Sequence, residues 1–384
     1  MRTIYLDHNA TTPVDPGVFN ALLPYLREEF GNPSSTHALG RRARNAVETA
    51  RGEVASLIGA HADEIIFTSG GTEASNMAIR GAAALHRERR AIVTSSIEHP
   101  ATEACCARLE RAGHPVRRIS APADGRLDPV AVSAAIDAQT ALVTIIHAQN
   151  EIGTLQPVAE IAALARERGA LVHADAAQSV GKVPVDVNAL AIDLLSIAGH
   201  KLYAPKGIGA LYVRRGVDLP PLLVGAGQER GYRPGTENVA SIVALGAACR
   251  IAEQRLEDDE PRLASLADDL LARLKREVPS LILVGHPLQR LPNTLNILFP
   301  GVSGRRVLEA CPRVLASTGS ACHADRETPS KILRALGISA DAALGAIRLS
   351  LGRSTTPDDV EAAASSLGAA WRIAAGAIPA ISPM

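Results

Sequence analysis

The chain has 384 residues, 47% hydrophobic and 21% charged, enough for two domains and ordinary in composition for a globular protein. Forty Lys and Arg balance forty Asp and Glu, and aromatic residues are only 3%. No basic field draws the chain to nucleic acid or an anionic membrane, and there is little for bases to stack on.

In chain order, the N-terminal MRTIYLDHNATTP lacks a basic segment leading into an apolar run. No apolar stretch reaches membrane-spanning length, so a cytoplasmic protein without membrane or nucleic-acid partners is expected. The middle alternates short apolar runs with helical stretches. The runs are EIIFTS (64–69), AIVTSS (91–96), ALVTIIHA (141–148), ALVHADA (170–176), DLLSIAG (193–199) and GALYVRR (209–215). Helices are predicted between them at 101–112, 129–138 and 158–168. Strands nearly continuous in Val, Ile, Leu and Ala, joined by helices, predict a mostly parallel sheet buried on both faces, an α/β three-layer architecture. Beyond Pro234 two long helices are predicted, 238–255 and 262–277, split by the acidic EDDEP at 257–261. SLILVG (280–285), NTLNILF (293–299) and further helices then suggest a smaller α+β domain.

The residues just after each apolar run carry the chemistry, because sites in open α/β sheets collect at the carboxyl ends of strands. After EIIF, small residues open a helix whose first turn holds Thr72. Free backbone N–H groups there suit a phosphate, and an ordinary capped helix reads the same way. His99 follows AIVTSSIE and Asn150 follows ALVTIIHAQ; either residue alone fits a turn. Asp175 ends ALVHAD, where it can cap a helix, meet a cation or pair with a protonated ring nitrogen. Gln178 lies one helical turn further on. Lys201 follows DLLSIAGH between Gly199 and Pro205; most such lysines are solvated, but a desolvated one can form a Schiff base. A phosphate cradle, an acid, a stacking imidazole and a strand-end lysine together suit pyridoxal phosphate, whose ring is an electron sink.

Five cysteines, an odd number with no CxxC spacing, rule out a disulfide framework and point away from zinc, so no metal site is expected. Cys105, Cys106, Cys249 and Cys311 read as core. Cys322 differs. It sits in STGSACHADRE (317–327) among small residues, with His323 beside it, the setting of an accessible thiol.

Motifs in order along nearly the whole chain carry a resemblance: YLDHNATTPVDP, GNPSSTH, IFTSGGTEASN, SSIEH, HAQNEIG, HADAAQSVGK, AGHKLYAPKGIGALYVRR, GQERGYRPGTENVASIVALG, ASTGSACHAD and IRLSLGRSTT. The sequence resembles the cysteine desulfurase and selenocysteine lyase branch of the class V aminotransferases, which depend on pyridoxal 5'-phosphate. The resemblance implies the type I fold of such enzymes, with a mostly parallel seven-stranded sheet, a large domain over 15–260, and a small one over 1–14 and 261–384. It implies that Lys201 carries the cofactor as a Schiff base and that His99 stacks on its ring and assists proton transfer. Asp175 would pair with the ring nitrogen and Gln178 with the ring hydroxyl. Thr72 and His200 would bind the phosphate, with Thr236 reaching it from the second subunit of a homodimer. Asn150 and Arg348 would hold the substrate carboxylate, a task suited to a planar guanidinium. Cys322 would be the nucleophile: its thiolate takes sulfur from L-cysteine, leaving L-alanine and a persulfide for an acceptor protein of unknown identity.

Three departures stand out. Ala198 replaces the serine the family usually places two residues before the His-Lys pair, which implies that one phosphate hydrogen bond is missing or replaced. Gln149-Asn150-Glu151 replaces Asn-Asn-Glu. RPGTEN (233–238), RLPNT (290–294), ACHAD (321–325) and the apolar residue at 198 resemble selenocysteine lyases, while the length of the Cys322 loop resembles bacterial housekeeping desulfurases. Selenocysteine lyase is therefore the alternative activity. A transaminase would not need Cys322, and a non-catalytic scaffold would not need Lys201, Asp175 and Cys322 together.

Overall fold

The computed structural model describes residues 2–85, 88–318 and 328–376. Among these the strands are β1 (Ile4–Tyr5), β2 (Ile65–Thr68), β3 (Ala91–Ser95), β4 (Val116–Ile119), β5 (Thr140–Ile146), β6 (Leu171–Asp175), β7 (Leu194–Ala198), β8 (Gly209–Val213), β9 (Ile282–Val284), β10 (Thr294–Leu298), β11 (Val314–Leu315) and β12 (Ala346–Ser350). Seven of them form the central sheet in the order β2-β8-β7-β6-β5-β3-β4. Only β8 runs against its neighbours, antiparallel to both β2 and β7. The mostly parallel seven-stranded α/β sheet is the predicted one.

Both faces of the sheet are covered because neighbouring residues on one strand point to opposite sides. Ile65 and Phe67 join one core cluster, with Val93, Val143, Ile145, Val172 and Leu195. Ile66 joins another on the opposite face, with Ile92, Leu142, Leu194 and Leu211. Cys105, Cys106 and Cys249 lie in these cores and Cys311 in a third, as the sequence predicted. Burial pushes the thiols of Cys105 and Cys106 up to about 11 and about 12, so they are scarcely ionised at neutral pH.

The third core packs the small sheet β12-β10-β9 and the β1-β11 pair against helices. Here the structure corrects the sequence reading. One helix, Val239–Glu277, runs unbroken through the acidic stretch and through Pro261. An interior proline costs about 3 kcal/mol. The burden is offset at Asp259, whose carboxylate accepts from Arg255, Arg262 and Arg353, so the charge expected to split the helix is neutralised. Leu245 and Ala248 of this helix pack in the large core, and Leu266, Leu270 and Leu274 in the small one. The sequence also concealed β4. Its two arginines break the apolar pattern, but β4 is an edge strand, and Arg117 and Arg118 reach out to Asp137, Glu103 and Glu110. The helix predicted at 129–138 closes earlier, as Pro129–Ala134. No helix among the described residues is long and apolar enough to cross a membrane.

A buried ion pair ties the loop before Thr236 to the sheet. Arg51 donates from both terminal nitrogens to Glu229, each at 2.8 Å, and Glu229 also accepts from the Phe67 N–H at 2.8 Å. Glu229 itself holds a left-handed backbone, φ +47°, a cost that persists only when the surroundings enforce it. Glu229→Ala is expected to lower the unfolding free energy in urea by about 3–5 kcal/mol, because it strands a buried guanidinium. A variant as stable as the wild type would mean that Glu48, the other partner of Arg51, suffices alone.

Candidate active site

The strand polarity brings the carboxyl ends of β2, β3, β5, β6 and β7 to one edge of the sheet, and an open cleft of about 310 Å³ lies there. Thr72, His99, Asn150, Asp175, Gln178, His200, Lys201 and Arg348 all line it, together with Asn9, Ala10 and Ala198. Eight residues singled out along the sequence thus share one cavity. Thr236 is exposed and does not line the cleft of its own chain. Cys322 lies outside the described residues.

Lys201 closes the 3-10 turn Gly199–Lys201 after β7. Its ammonium donates to the carbonyls of Asn9 and Ala10. Burial first, and then the nearby Arg348 charge, bring its pKa down to about 8, with Asp7 and Asp175 pulling the other way. That places a share of neutral, nucleophilic amine at physiological pH.

His99 caps the helix Pro100–Arg111, where its Nδ1 accepts from the Ala101 N–H at 3.1 Å. That bond fixes the tautomer and leaves Nε2 as the free ring nitrogen. Burial favours the neutral ring, opposed by Asp175 and assisted by Lys201. Asp175 ends β6, and its Oδ1 accepts from the Ala177 N–H at 3.0 Å. Burial pushes this carboxyl up, while His99, the Ala177 N–H and Lys201 favour its charge. A deeply placed acid so weakly compensated fits a ligand bearing an N–H cation.

The helix Gly71–Leu85 begins at the cleft and presents Thr72 and the N-terminal end of its first turn. A side chain added at Gly71 would lie 3.2 Å from the Ala198 methyl, so the helix start sits tightly against β7 at the position where the usual serine is missing. His200 stays neutral, its pKa lowered to about 4 by burial and by neighbouring cations. Its Nδ1 meets the Thr11 hydroxyl at 3.2 Å.

Arg348, on β12, enters from the small sheet. It donates to the Asn150 carbonyl at 3.1 Å and to Asp7 Oδ1 at 2.7 Å. Gln149 is buried beneath Asn150: its Nε2 donates to the Ile97 carbonyl and its Oε1 accepts from the N–H groups of Glu151 and Ile152. The glutamine at this departure therefore braces the loop. Asp7, Asn9 and Lys182 belong to the site network as well, and the sequence reading gave them no role. They stand inside the motifs YLDHNATTPVDP and HADAAQSVGK, so the signal was present; what was missing was the fold that brings those motifs together.

The chain matches the Aminotransferase class-V family profile over residues 4–363. It belongs to that family. Among curated relatives, this class-V chain is 47% identical over 363 residues to a cysteine desulfurase of Nostoc sp., covering 94% of this chain and 91% of the other. It is 45% identical over 365 residues to a cysteine desulfurase of Rattus norvegicus, covering 94% and 81%. Among solved structures, a NifS-like protein superposes with a TM-score of 0.89 at 32% identity, covering 96% of this chain and 98% of that one. A structure described as SspA in complex with cysteine superposes with a TM-score of 0.82 at 38% identity, covering 91% and 99%. The cofactor of this class-V branch is pyridoxal 5'-phosphate, and the cleft fits it. A reactive lysine, a buried acid for a ring N–H, a neutral imidazole and a helix N-terminus for phosphate all converge there.

Proposed function

We propose that the protein is a cysteine desulfurase that converts L-cysteine to L-alanine and leaves the sulfur as a persulfide on Cys322. The observation that carries this reading is the meeting of Lys201, Asp175, His99 and Arg348 in one cleft of a chain so similar to cysteine desulfurases. Bound there, pyridoxal phosphate supplies an electron sink for the substrate's α-carbon. Lys201 Nζ holds the cofactor and moves the substrate's α-proton, as an amine with a pKa near 8 can. Asp175 pairs with the ring nitrogen, His99 faces the ring, Gln178 meets the ring hydroxyl, and Thr72 and His200 hold the phosphate. Asn150 and Arg348 hold the substrate carboxylate, which takes the place of Asp7 on the guanidinium.

The sulfur step balances without a further reagent. The substrate's Cβ–S bond breaks and an S–S bond forms to Cys322 Sγ; the β-carbon takes the electron pair with a proton and is reduced by two electrons, while the substrate sulfur and the enzyme sulfur are each oxidised by one. Two anchors support Cys322 as the acceptor. On one side of its loop, the backbone of Ser317 pairs with that of Arg348. On the other, Ser330 donates to Glu151, beside Asn150. Cys322 follows Ser317 by five residues, a span of at most about 17 Å, which supports the reading.

Thr236 reaches the phosphate of a second copy in this reading, and the protein works as a cytoplasmic homodimer. Exposed Phe19, Leu26 and Phe30, on and just after the first helix, support an interface there. The large domain takes 15–260 and the small one, with the Cys322 loop, takes 1–14 and 261–384. The test is alanine formed from L-cysteine by the yellow, cofactor-loaded protein; a loaded protein that forms none sinks the reading. Arg348→Ala removes a charge-assisted fork and is expected to raise KM for cysteine about 100-fold. An unchanged KM would place the carboxylate elsewhere.

A further inference from the structure

Lys182 is a buried lysine that the proposed chemistry leaves unused. It stands 8% exposed, and among the described residues no carboxylate lies within ion-pair distance of it. Its Nζ donates instead to two amide oxygens, Gln178 Oε1 at 2.8 Å and Asn9 Oδ1 at 3.0 Å. Nothing about a solvated surface lysine resembles this setting, since desolvating an amine without a counter-charge is costly. Burial, Lys201 and Arg348 all press its pKa well below the usual lysine range, and a neutral amine can still donate to both oxygens.

The direction of every amide around it is set from a fixed end. The Leu351 carbonyl accepts from Asn293 Nδ2 at 2.9 Å, so Asn293 turns its oxygen to the Thr294 hydroxyl, also at 2.9 Å. That hydroxyl in turn accepts from Asn9 Nδ2 at 2.8 Å. Asn9 is left with its oxygen toward Lys182. Gln178 completes the chain: its oxygen meets Lys182, and its Nε2 meets the Asn9 backbone carbonyl at 3.0 Å. A flipped Gln178 would set its oxygen against the Asn9 carbonyl and cost the Lys182 amine one of its two acceptors. One hydrogen of the Gln178 amide is then left for the cleft that this residue lines.

We propose that Lys182 is a positioning residue that locks the Gln178 amide so that it offers the cleft a donor, and so selects an anionic oxygen on the cofactor ring. The proposal rests on the reading that the cleft takes pyridoxal phosphate. The lock runs from the small sheet through Asn293, Thr294 and Asn9 to Lys182 and Gln178, so the seating of the small sheet sets the polarity of the cofactor site.

The experiment is a pH titration of the visible absorption band of bound pyridoxal phosphate, with the cofactor's dissociation constant measured on the same samples. Lys182→Met removes one of the two bonds that fix the amide, so the cleft loses a fixed donor and the bound cofactor holds its titrating proton more tightly. The midpoint of the band is expected to rise by about one pH unit, and the dissociation constant by about tenfold. Lys182→Arg, which keeps a donor, should restore most of both. Gln178→Leu should give the same displacement as Lys182→Met, and the double variant no more than either, because one acts through the other. Wild-type values in Lys182→Met, or displacements that add in the double variant, overturn the proposal. A wild-type protein that binds no pyridoxal phosphate overturns the underlying cofactor reading instead. If Lys182→Met fails to fold, Gln178→Leu and Lys182→Arg decide: the first must show the displacement and the second must not.

Discussion

Lys201→Ala is expected to lower alanine release from L-cysteine by about 10⁴-fold or more, since in the proposed mechanism one residue both holds the cofactor and moves the proton. The variant should still bind pyridoxal phosphate through Thr72, His200 and Asp175, more weakly and with an altered absorption band. Turnover within tenfold of the wild type would remove Lys201 from the chemistry. The pH dependence gives a second handle on the same residue. Its pKa is lowered from 10.5 to about 8, so the amine is protonated below about 8 and neutral above it. At pH 7 roughly a tenth is neutral, against less than about one in a thousand for an ordinary lysine. Capture of pyridoxal phosphate by the cofactor-free wild type should therefore speed up tenfold per pH unit below 8 and level off above it. A rate still climbing at pH 10 would show an unperturbed lysine.

Cys322→Ala is expected to cost about 10³-fold or more in alanine release from L-cysteine, with the cofactor band intact, because in the proposed reading the cleft residues keep their places while the sulfur loses its acceptor. The same variant on L-selenocysteine separates the two activities in the branch. If wild-type protein turns over cysteine and the variant does not, Cys322 is the carrier and the desulfurase reading stands. If only selenocysteine is turned over, or the variant keeps that activity, the protein is a lyase in which Cys322 discriminates between sulfur and selenium. A cysteine-derived persulfide on Cys322, seen as one added sulfur by mass, is expected only in the first case.

The site and its support are not equally legible in the chain. Thr72, His99, Asn150, Asp175, Gln178 and Lys201 can each be found by inspecting the residues just past an apolar run, because strand ends are marked locally. Arg348 and Asp7 cannot be paired that way: they are 341 positions apart, and only the seating of β12 beside the N-terminal segment joins them. Lys182 reads like any lysine after a glycine until burial and two amide oxygens give it a place.

Local pattern and motif suffice for the alternation that makes a two-faced sheet, the order of strand-end residues, the class of cofactor, and the small-residue setting of Cys322. Features that depend on distant neighbours emerge only on folding. Tertiary packing reverses β8 within the sheet, and it places β4 at an edge where arginines can reach solvent. It carries the helix Val239–Glu277 through Pro261 because Arg353, far along the chain, meets Asp259. It also sets the proton affinities of Lys201 and Asp175. Periodicity records which way each side chain faces, whereas burial and charge pairing are sums over residues that the chain brings together only when it folds.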